Sequence, residues 1–409
     1  MATAKKKKGL GSMLLARGSM DVPFFLLLVT IVTIGLIMLF SASYTYSYYH
    51  RGGDSTNIFR KQLMFVLLGL AGMYVISRIR YEYFRLFAII GVVVSLGLLG
   101  LVLVLPEYKQ GFHRWIDLGF TTFQPSEIAK IGLILILAYL LEKDYKKVTG
   151  KIPSDLGVFK KISEITNGKI VIYKSFLTVI GYGILIIVFS GLVYLENHVS
   201  GTILMLGLGI MMLFLGEVKN KWFILAGGMI VIVALLLVTN PSILEKYAGE
   251  RIVAWLDKDY KPTEAGGRWQ INNSLYAIGS GGLLGTGLGQ SKQKHLYVSE
   301  PQNDFIFSIV CEELGFVGAA VIIIIFALLV YRGINIGMRA KDRFGALLAM
   351  GISFQIGIQV ALNIAVVSDF IPNTGISLPF FSAGGTSVFI LLCEMGMLLS
   401  VSRSARKKE

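Results

Sequence analysis

Three clusters of polar residues interrupt long apolar segments of this sequence, and each holds side chains suited to chemistry. One runs from Ser299 to Ser308 and places Asp304 at the border of an apolar segment, between aromatic neighbours Phe305 and Phe307. Burial raises the pKa of a carboxylate towards the range in which it accepts a proton near neutral pH. We therefore predict Asp304 to be a general base, with capping of the following helix as the alternative.

The second cluster offers cations next to another apolar segment. It contains Arg114 and Asp117, followed by Pro125, Glu127 and Lys130. Glu127 and Lys130 are three residues apart, on one face of a helix that begins near Pro125, and are predicted to pair inside the membrane. An ionisable side chain at bilayer depth costs about 2.5–3.5 kcal/mol on insertion scales, so the pair needs a role. It either fixes helix packing or provides a cationic wall for an anionic substrate.

The third cluster, residues 372–387, contains two prolines and three glycines that break the helix between two apolar segments. Irregular backbone at membrane depth must line a cavity or be buried in protein. Its amides and hydroxyls are candidate ligands for phosphate oxygens, and a plain turn between helices is the alternative. The candidates within it are Ser382, Gly384, Gly385 and Ser387.

The segments that must position these clusters are apolar enough to be membrane helices. The chain has 409 residues, of which 54% are hydrophobic and only 16% charged. We predict an all-α polytopic membrane protein of about ten transmembrane helices, with a long structured external loop between helices 7 and 8. The predicted segments are 22–43, 62–77, 86–105, 125–141, 176–195, 200–216, 222–239, 305–330, 344–367 and 386–402.

Charge sets the predicted orientation. With the N-terminus inside, most of the 39 Lys and Arg residues fall on the cytoplasmic side, so both termini are predicted to be cytoplasmic. The predicted organisation is a basic cytoplasmic N-terminal tail (1–21), a ten-helix transmembrane domain (22–402) and a basic cytoplasmic tail (403–409).

Two predicted loops are long. Residues 142–174 are predicted to form a basic cytoplasmic loop. Its charges either bind anionic lipid headgroups or only keep the loop on the cytoplasmic side. Residues 240–304 form a large extracellular loop with a dense glycine stretch at 279–289. That stretch is predicted either to form a backbone nest that binds a phosphate or to be a closely packed re-entrant turn.

Several classes of function are disfavoured. The net charge of +14 forms no basic stripe interleaved with aromatic residues, so we predict no nucleic-acid partner. The four histidines lack metal-ligand spacing. The two cysteines lie in predicted helices and are expected to be packing residues.

Taken together, the clusters resemble those of the SEDS family of bacterial cell-wall proteins, which act in shape, elongation, division and sporulation. The resemblance is carried by Arg114-Trp-Ile-Asp117 with Gln124-Pro-Ser-Glu127, by Asp304-Phe-Ile-Phe307 with Glu312-Glu-Leu-Gly315, and by Leu378-Pro-Phe with Ser382-Ala-Gly-Gly385-Thr-Ser387. The stretches Pro372-Asn-Thr-Gly375 and Val401-Ser-Arg403 look closer to the FtsW and SpoVE branch than to RodA. The stretch Glu196-Asn-His198 departs from the family pattern and receives no predicted role.

The resemblance implies an inverting peptidoglycan glycosyltransferase, a multi-pass protein of the bacterial cytoplasmic membrane. It would polymerise lipid II into glycan strands at the outer face of that membrane, for the division or sporulation septum. Asp304 would be the catalytic residue that deprotonates the acceptor hydroxyl. The implied substrate-binding residues are Arg114, Glu127, Lys130, Arg251, Gln302, Ser382, Gly384, Gly385 and Ser387.

The resemblance also implies partners. They are lipid II, a class B penicillin-binding protein that acts as transpeptidase, and a divisome or related wall-synthesis complex. The positive charge that stabilises the departing diphosphate would come from Arg114, Lys130 or Arg251, or else from a divalent cation, Mg or Mn, with Asp304 as its candidate ligand; no other cofactor is expected. Two other functions are open: a lipid II flippase, and a non-catalytic scaffold for the penicillin-binding protein.

Overall fold

The computed structural model describes residues 15–16, 18–106, 113–119, 121–149, 174–224, 227, 255 and 267–405. These residues are mainly helical and include one two-stranded antiparallel hairpin, β1 (Ile116–Asp117) and β2 (Thr122–Phe123). The predicted all-α membrane fold is confirmed. The helices are α1 (Val22–His50), α2 (Asn57–Arg78), α3 (Phe84–Val104), α4 (Pro125–Lys143), α5 (Tyr145–Thr149), α6 (Lys174–Leu195), α7 (Val199–Leu215), α8 (Gly267–Ser280), α9 (Ile306–Met338), α10 (Arg343–Val367) and α11 (Gly385–Ser404).

Seven of the described helices are long and apolar enough to cross a membrane: α1, α2, the segment Tyr81–Val104 that includes α3, α6, α9, α10 and α11. Two more predicted segments are helical, α4 with its buried charges and the shorter apolar α7. The predicted seventh segment, 222–239, lies mostly outside the described residues. The count of ten and the domain boundaries therefore stay predictions.

One end of the bundle is fastened by ion pairs between helices. Arg85 of α3 contacts both Glu142 of α4 and Asp342, each at 2.7 Å. Asp21, whose carboxylate caps the start of α1, pairs with Arg332 of α9 at 2.8 Å. We call the opposite end, where α1 ends and α2 begins, the cavity end.

Helix α9 is kinked where the glycine stretch packs against it. At the kink Gly315 has φ 67° and ψ −171°, a conformation that favours glycine. The amides of Phe316 and Val317 donate to the carbonyls of Gly282 and Leu283 at 2.9 and 3.1 Å. The backbone groups freed by the kink are thus satisfied by the glycine stretch. Of the two interpretations of that stretch, close packing is the one that the structure supports.

Candidate active site

A cavity of about 540 Å³ opens at the cavity end and is lined mainly by polar groups. Its walls come from the start of α2, the β-hairpin, the first turns of α4 and α7, residues 300–304 and residues 375–388. All three clusters from the sequence therefore meet in one place. The predicted site residues on its walls are Arg114, Glu127, Lys130, Gln302, Asp304, Ser382, Gly384, Gly385 and Ser387. Arg251 lies outside the described residues.

Asp304 stands half-buried on the cavity wall just before α9. Phe305, and not Asp304, is the N-cap residue of α9, and the Phe305 side chain makes no capping hydrogen bond. The neighbours Phe305 and Phe307 are buried, and Asp304 itself is half-buried, in line with the predicted partial desolvation. Asp304 lies one residue before that N-cap, and its alternative role at the start of the helix stays a prediction. Its Oδ2 atom lies 3.2 Å from the position that a Cβ on Gly375 would occupy, so glycine leaves room for the carboxylate.

A row of amides on α10 holds the segments that carry this carboxylate. Asn363 donates to the carbonyl oxygens of Asp304 and Ile376 at 2.8 and 2.7 Å. One turn away, Gln359 donates to the carbonyl oxygen of Ser377 at 3.1 Å. These residues are four apart and therefore share one helix face. Sequence reasoning missed them, although polar side chains inside an apolar segment were a signal that could have found them.

Glu127 and Lys130 form the predicted intramembrane ion pair, with 2.8 Å between Oε2 and Nζ. Both are buried and both line the cavity. Lys130 also reaches Gln359 at 3.5 Å. The sequence analysis missed a third ionisable side chain near this pair. Glu394 of α11 is fully buried and accepts a hydrogen bond from Gln355 at 2.8 Å. It lies close enough to Glu127 and Lys130 to interact electrostatically with both.

The turn between α6 and α7, to which we assigned no role, borders the cavity. His198 lines it and lies 3.3 Å from Nε2 of Gln124. Arg114 donates to the carbonyl oxygen of Asn197. Glu196 is fully buried, and burial raises its pKa to about 8 although the charge of Arg114 lowers it. Arg114 is thus held at the cavity by groups of this turn.

The third cluster is held in an irregular conformation by its own polar groups. Ser382 Oγ accepts from the amide of Leu378 and donates to the carbonyl oxygen of Asn303, each at 2.8 Å. Gln62 of α2 accepts from the amide of Gly384 at 3.1 Å and donates to the carbonyl oxygen of Ser382 at 3.2 Å. These groups fasten the segment to α2 and to the neighbour of Asp304.

Gly385 and Ser387, the other predicted members of that cluster, begin α11. Gly385 lies against the ring of Phe65, and Ser387 stands half-buried on the cavity wall. Gln302 also lines the cavity; its side chain is only 3% exposed, and its Oε1 atom has no hydrogen-bond partner among the described residues. A buried acceptor of this kind suits a substrate hydroxyl or amide.

Glu312 and Glu313 do not line the cavity. Glu313 pairs with Lys294 at 2.9 Å and accepts from Ser41 at 2.7 Å. Glu312 accepts from the amide of Lys292 at 2.8 Å. This motif therefore fastens the loop before Asp304 to α1 and α9.

The described residues contain no group of three or more His, Cys, Asp or Glu side chains placed to hold a metal ion. Mg²⁺ is often bound by one or two carboxylates together with substrate phosphates. Asp304 would suit that arrangement as a single carboxylate ligand.

Comparison with known proteins gives the family. Residues 21–407 match the model of the FtsW, RodA and SpoVE family, described as cell cycle proteins. Stage V sporulation protein E of Bacillus subtilis (strain 168) is 35% identical over 394 residues, which cover 95% of this chain and 98% of the relative. A probable peptidoglycan glycosyltransferase FtsW of Trichlorobacter lovleyi is 35% identical over 386 residues, with 93% of each chain covered.

Solved structures share the fold. A chain of a peptidoglycan synthase complex, studied for its coordination of polymerization and crosslinking, superposes with a TM-score of 0.70 at 23% identity, covering 94% of this chain and 98% of that one. Thermus thermophilus RodA superposes with a TM-score of 0.64 at 24% identity, covering 95% and 99%. The family match spans nearly the whole sequence, so this chain belongs to the FtsW/RodA/SpoVE family of cell cycle proteins, the SEDS family that its motifs resemble.

Proposed function

We propose that this peptidoglycan glycosyltransferase polymerises lipid II with Asp304 as its general base. The observation that carries the proposal is the position of that carboxylate. It is half-buried on the wall of a polar cavity, backed by Phe305 and Phe307 and held from behind by Asn363. A base in this position is within reach of a substrate in the cavity and shielded in part from water.

The reaction needs few groups. Asp304 takes the proton of the acceptor sugar hydroxyl while the hydroxyl oxygen attacks the anomeric carbon of the donor. The bond from that carbon to the diphosphate oxygen breaks, and the lipid diphosphate leaves with the electron pair. Attack from the opposite face inverts the anomeric centre. Negative charge grows on the leaving diphosphate, so nearby cations stabilise the transition state.

Arg114 is the better placed of the predicted cations that the structure describes. It is half-buried at the cavity wall and donates a hydrogen bond to the carbonyl oxygen of Asn197. Lys130 is balanced by Glu127 and acts mainly as part of that pair. Asp304 would be the protein ligand of a divalent cation, which would supply further positive charge against the substrate phosphates.

The substrate is anchored in a membrane, which fits a cavity at one end of a multi-pass bundle. We place the cavity end outside the cytoplasmic membrane, with both termini inside, because the basic loops favour that orientation. The relatives named FtsW and SpoVE indicate a role in division or sporulation. The structural likeness to a chain of a peptidoglycan synthase complex supports a class B penicillin-binding protein as partner.

A reconstituted polymerisation assay tests the proposal. Purified protein, a class B penicillin-binding protein, lipid II and Mg²⁺ or Mn²⁺ are incubated, and glycan strands are separated by size. Asp304→Asn should lower the rate by about 10²–10⁴-fold, the usual contribution of a general base. Asp54→Asn is the matched control, since Asp54 lies at the same end and pairs with Arg60 away from the cavity.

Normal polymerisation by Asp304→Asn would contradict the assigned base. Lipid II transfer across vesicles without any polymer from the wild type would favour the flippase. A complex in which only the partner's activity depends on the chain would favour the scaffold.

A further inference from the structure

The cationic groups of the cavity differ in how far their charge is already balanced. Along the described walls these are Arg51, Lys61, Arg114 and Lys130, besides His198. Lys130 is in an ion pair with Glu127. Arg51 and Lys61 are exposed and make no side-chain hydrogen bond or ion pair within the described ranges. Two full positive charges on the cavity lining therefore lack a counter-charge from the described residues.

The neighbouring sequence explains why these two charges stay unbalanced. Asp54 is the acid closest to them along the chain, and its carboxylate is engaged by the side chain of Arg60 and by the amide and hydroxyl of Thr56 at 3.0 and 2.9 Å. Arg60 points away from the cavity, whereas Lys61, one residue on, lines it. The Asp54 carboxylate thus neutralises Arg60, which lies outside the cavity. It does not neutralise Arg51 or Lys61, which line the cavity.

Hydrogen bonds connect the part of α2 that carries Lys61 to the segment that carries Asp304, the proposed base. Gln62, next to Lys61, is only 2% exposed and bonds both the amide of Gly384 and the carbonyl oxygen of Ser382. Ser382 in turn donates to the carbonyl oxygen of Asn303, the residue before Asp304. A ligand held by Lys61 would therefore contact the same framework that positions the base.

The face of α2 that carries Lys61 continues into lipid-facing apolar residues. Met64 and Leu68 follow at three and seven residues from Lys61, on the same side of the helix, and are 45% and 52% exposed. A ligand with an anionic head and an apolar chain matches this sequence of a cation followed by apolar surface. A free inorganic anion would contact only the cation and not the apolar surface.

We propose that Arg51 and Lys61 form an anion subsite that binds the diphosphate of a polyprenyl-linked substrate, on a wall separate from the Glu127–Lys130 pair. The inference rests on the proposed function, because a reaction between two lipid-linked sugars brings two diphosphates to one cavity. One diphosphate leaves with the electron pair and the other stays attached to the growing product. Two binding sites for charged groups are therefore required, and Arg51 with Lys61 supplies one of them.

Equilibrium binding tests the subsite without any turnover. The probes are farnesyl diphosphate, inorganic pyrophosphate and farnesol, added to purified detergent-solubilised protein. The double variant Arg51→Gln/Lys61→Gln should bind farnesyl diphosphate at least about tenfold more weakly, since charge-assisted hydrogen bonds are lost. Asp54→Asn/Arg60→Gln is the matched control, because it removes the neighbouring ion pair without releasing the Asp54 carboxylate, and it should change the affinity less than about twofold. The conservative variant Arg51→Lys/Lys61→Arg should keep most of the affinity.

The three probes separate the sources of the anion. We expect wild-type protein to prefer farnesyl diphosphate to pyrophosphate and to bind farnesol equally with or without the two charges. Pyrophosphate binding as tight as that of the lipid diphosphate would overturn the lipid-linked assignment. An unchanged affinity in Arg51→Gln/Lys61→Gln, or an equal loss in Asp54→Asn/Arg60→Gln, would overturn the subsite.

Polymerisation measured in parallel distinguishes this proposal from the proposed function. Charge-dependent binding by a wild-type protein that makes no polymer would leave the subsite in place and remove the glycosyltransferase mechanism. Polymerisation at the wild-type rate by Arg51→Gln/Lys61→Gln would remove the subsite and leave the mechanism. Thermal unfolding of each variant shows that the fold is kept.

Discussion

The side-chain amide of Asn363 donates to the backbone carbonyl of Asp304 at 2.8 Å and to that of Ile376 at 2.7 Å. One buried residue of α10 thereby connects the segment that carries the carboxylate to the segment that faces it. The contact shown is with the backbone carbonyl of Asp304. The predicted contribution of Asn363 is to orientation, which a proton acceptor needs as much as it needs the right pKa.

Replacing Asn363 with alanine should lower the polymerisation rate by about 10–100-fold while lipid II binding changes little. The reason is that two carbonyl oxygens lose their donor, at about 1–3 kcal/mol each when buried. The measurement is kcat and KM for lipid II. Asn335→Ala is the matched control, because Asn335 is an exposed amide that bonds only to Tyr331 within its own helix. A loss in KM alone would contradict the positioning role.

Gly375 has φ +70°, and a Cβ there would come within 3.2 Å of Asp304 Oδ2. Alanine at this position should displace the carboxylate and reduce polymerisation at least about tenfold, in addition to the strain of the backbone conformation. Gly289→Ala separates the two effects. Gly289 has φ +81°, but nothing lies within 4 Å of its Cβ position. It should therefore lose stability by a similar amount and keep its activity per folded molecule.

The sequence predicted most of the cavity because polar residues inside apolar segments are costly and stand out. Asp304, the pair Glu127–Lys130 and the broken segment near Ser382 were all found by that criterion, and the structure brings them together. Gln359, Asn363 and Glu394 satisfied the same criterion and were missed, because each is a single polar residue in a long apolar stretch.

Other features depended on contacts between distant segments, which spacing does not show. Glu312 and Glu313 adjoin the predicted base in sequence, yet they bind Lys292, Lys294 and Ser41, whose loop and helix become their neighbours only on folding. The unbalanced charge of Lys61 likewise appears only when Asp54 is seen to face Arg60. Glycine density alone could not tell a phosphate nest from backbone packing against a kinked helix.

The ion pair of Glu127 and Lys130 should be needed for stability as a pair. Removing one partner leaves the other charge buried, which typically costs about 3–5 kcal/mol. Lys130→Met is therefore expected to lower the thermal midpoint strongly, whereas Glu127→Gln/Lys130→Met should recover much of the loss. Lys147→Gln is the control, since Lys147 also pairs three residues back, with Asp144, but its side chain is 50% exposed. A double variant less stable than either single variant would contradict this account.

Glu196 predicts a pH dependence of stability. Burial raises its pKa from 4.5 to about 8, so the folded protein holds a proton between these pH values that the unfolded chain has lost. Because the folded state binds more protons, its stability is full below pH 4.5 and falls as the pH rises to about 8. Both carboxylate oxygens also lack a hydrogen-bond partner among the described residues. No hydrogen bond from those residues therefore offsets the cost of ionising the buried carboxyl group.

Glu196→Gln removes the titrating group and keeps its size. The variant should unfold a few degrees higher than the wild type at pH 8 and show a flatter profile from pH 5 to pH 8, measured by thermal unfolding in one detergent. Glu217→Gln is the control, because Glu217 lies in the next turn along the chain and its side chain is 59% exposed. A wild-type profile that stays flat over this range, or a variant that keeps the wild-type slope, would show that Glu196 is ionised in the folded protein through its proximity to Arg114.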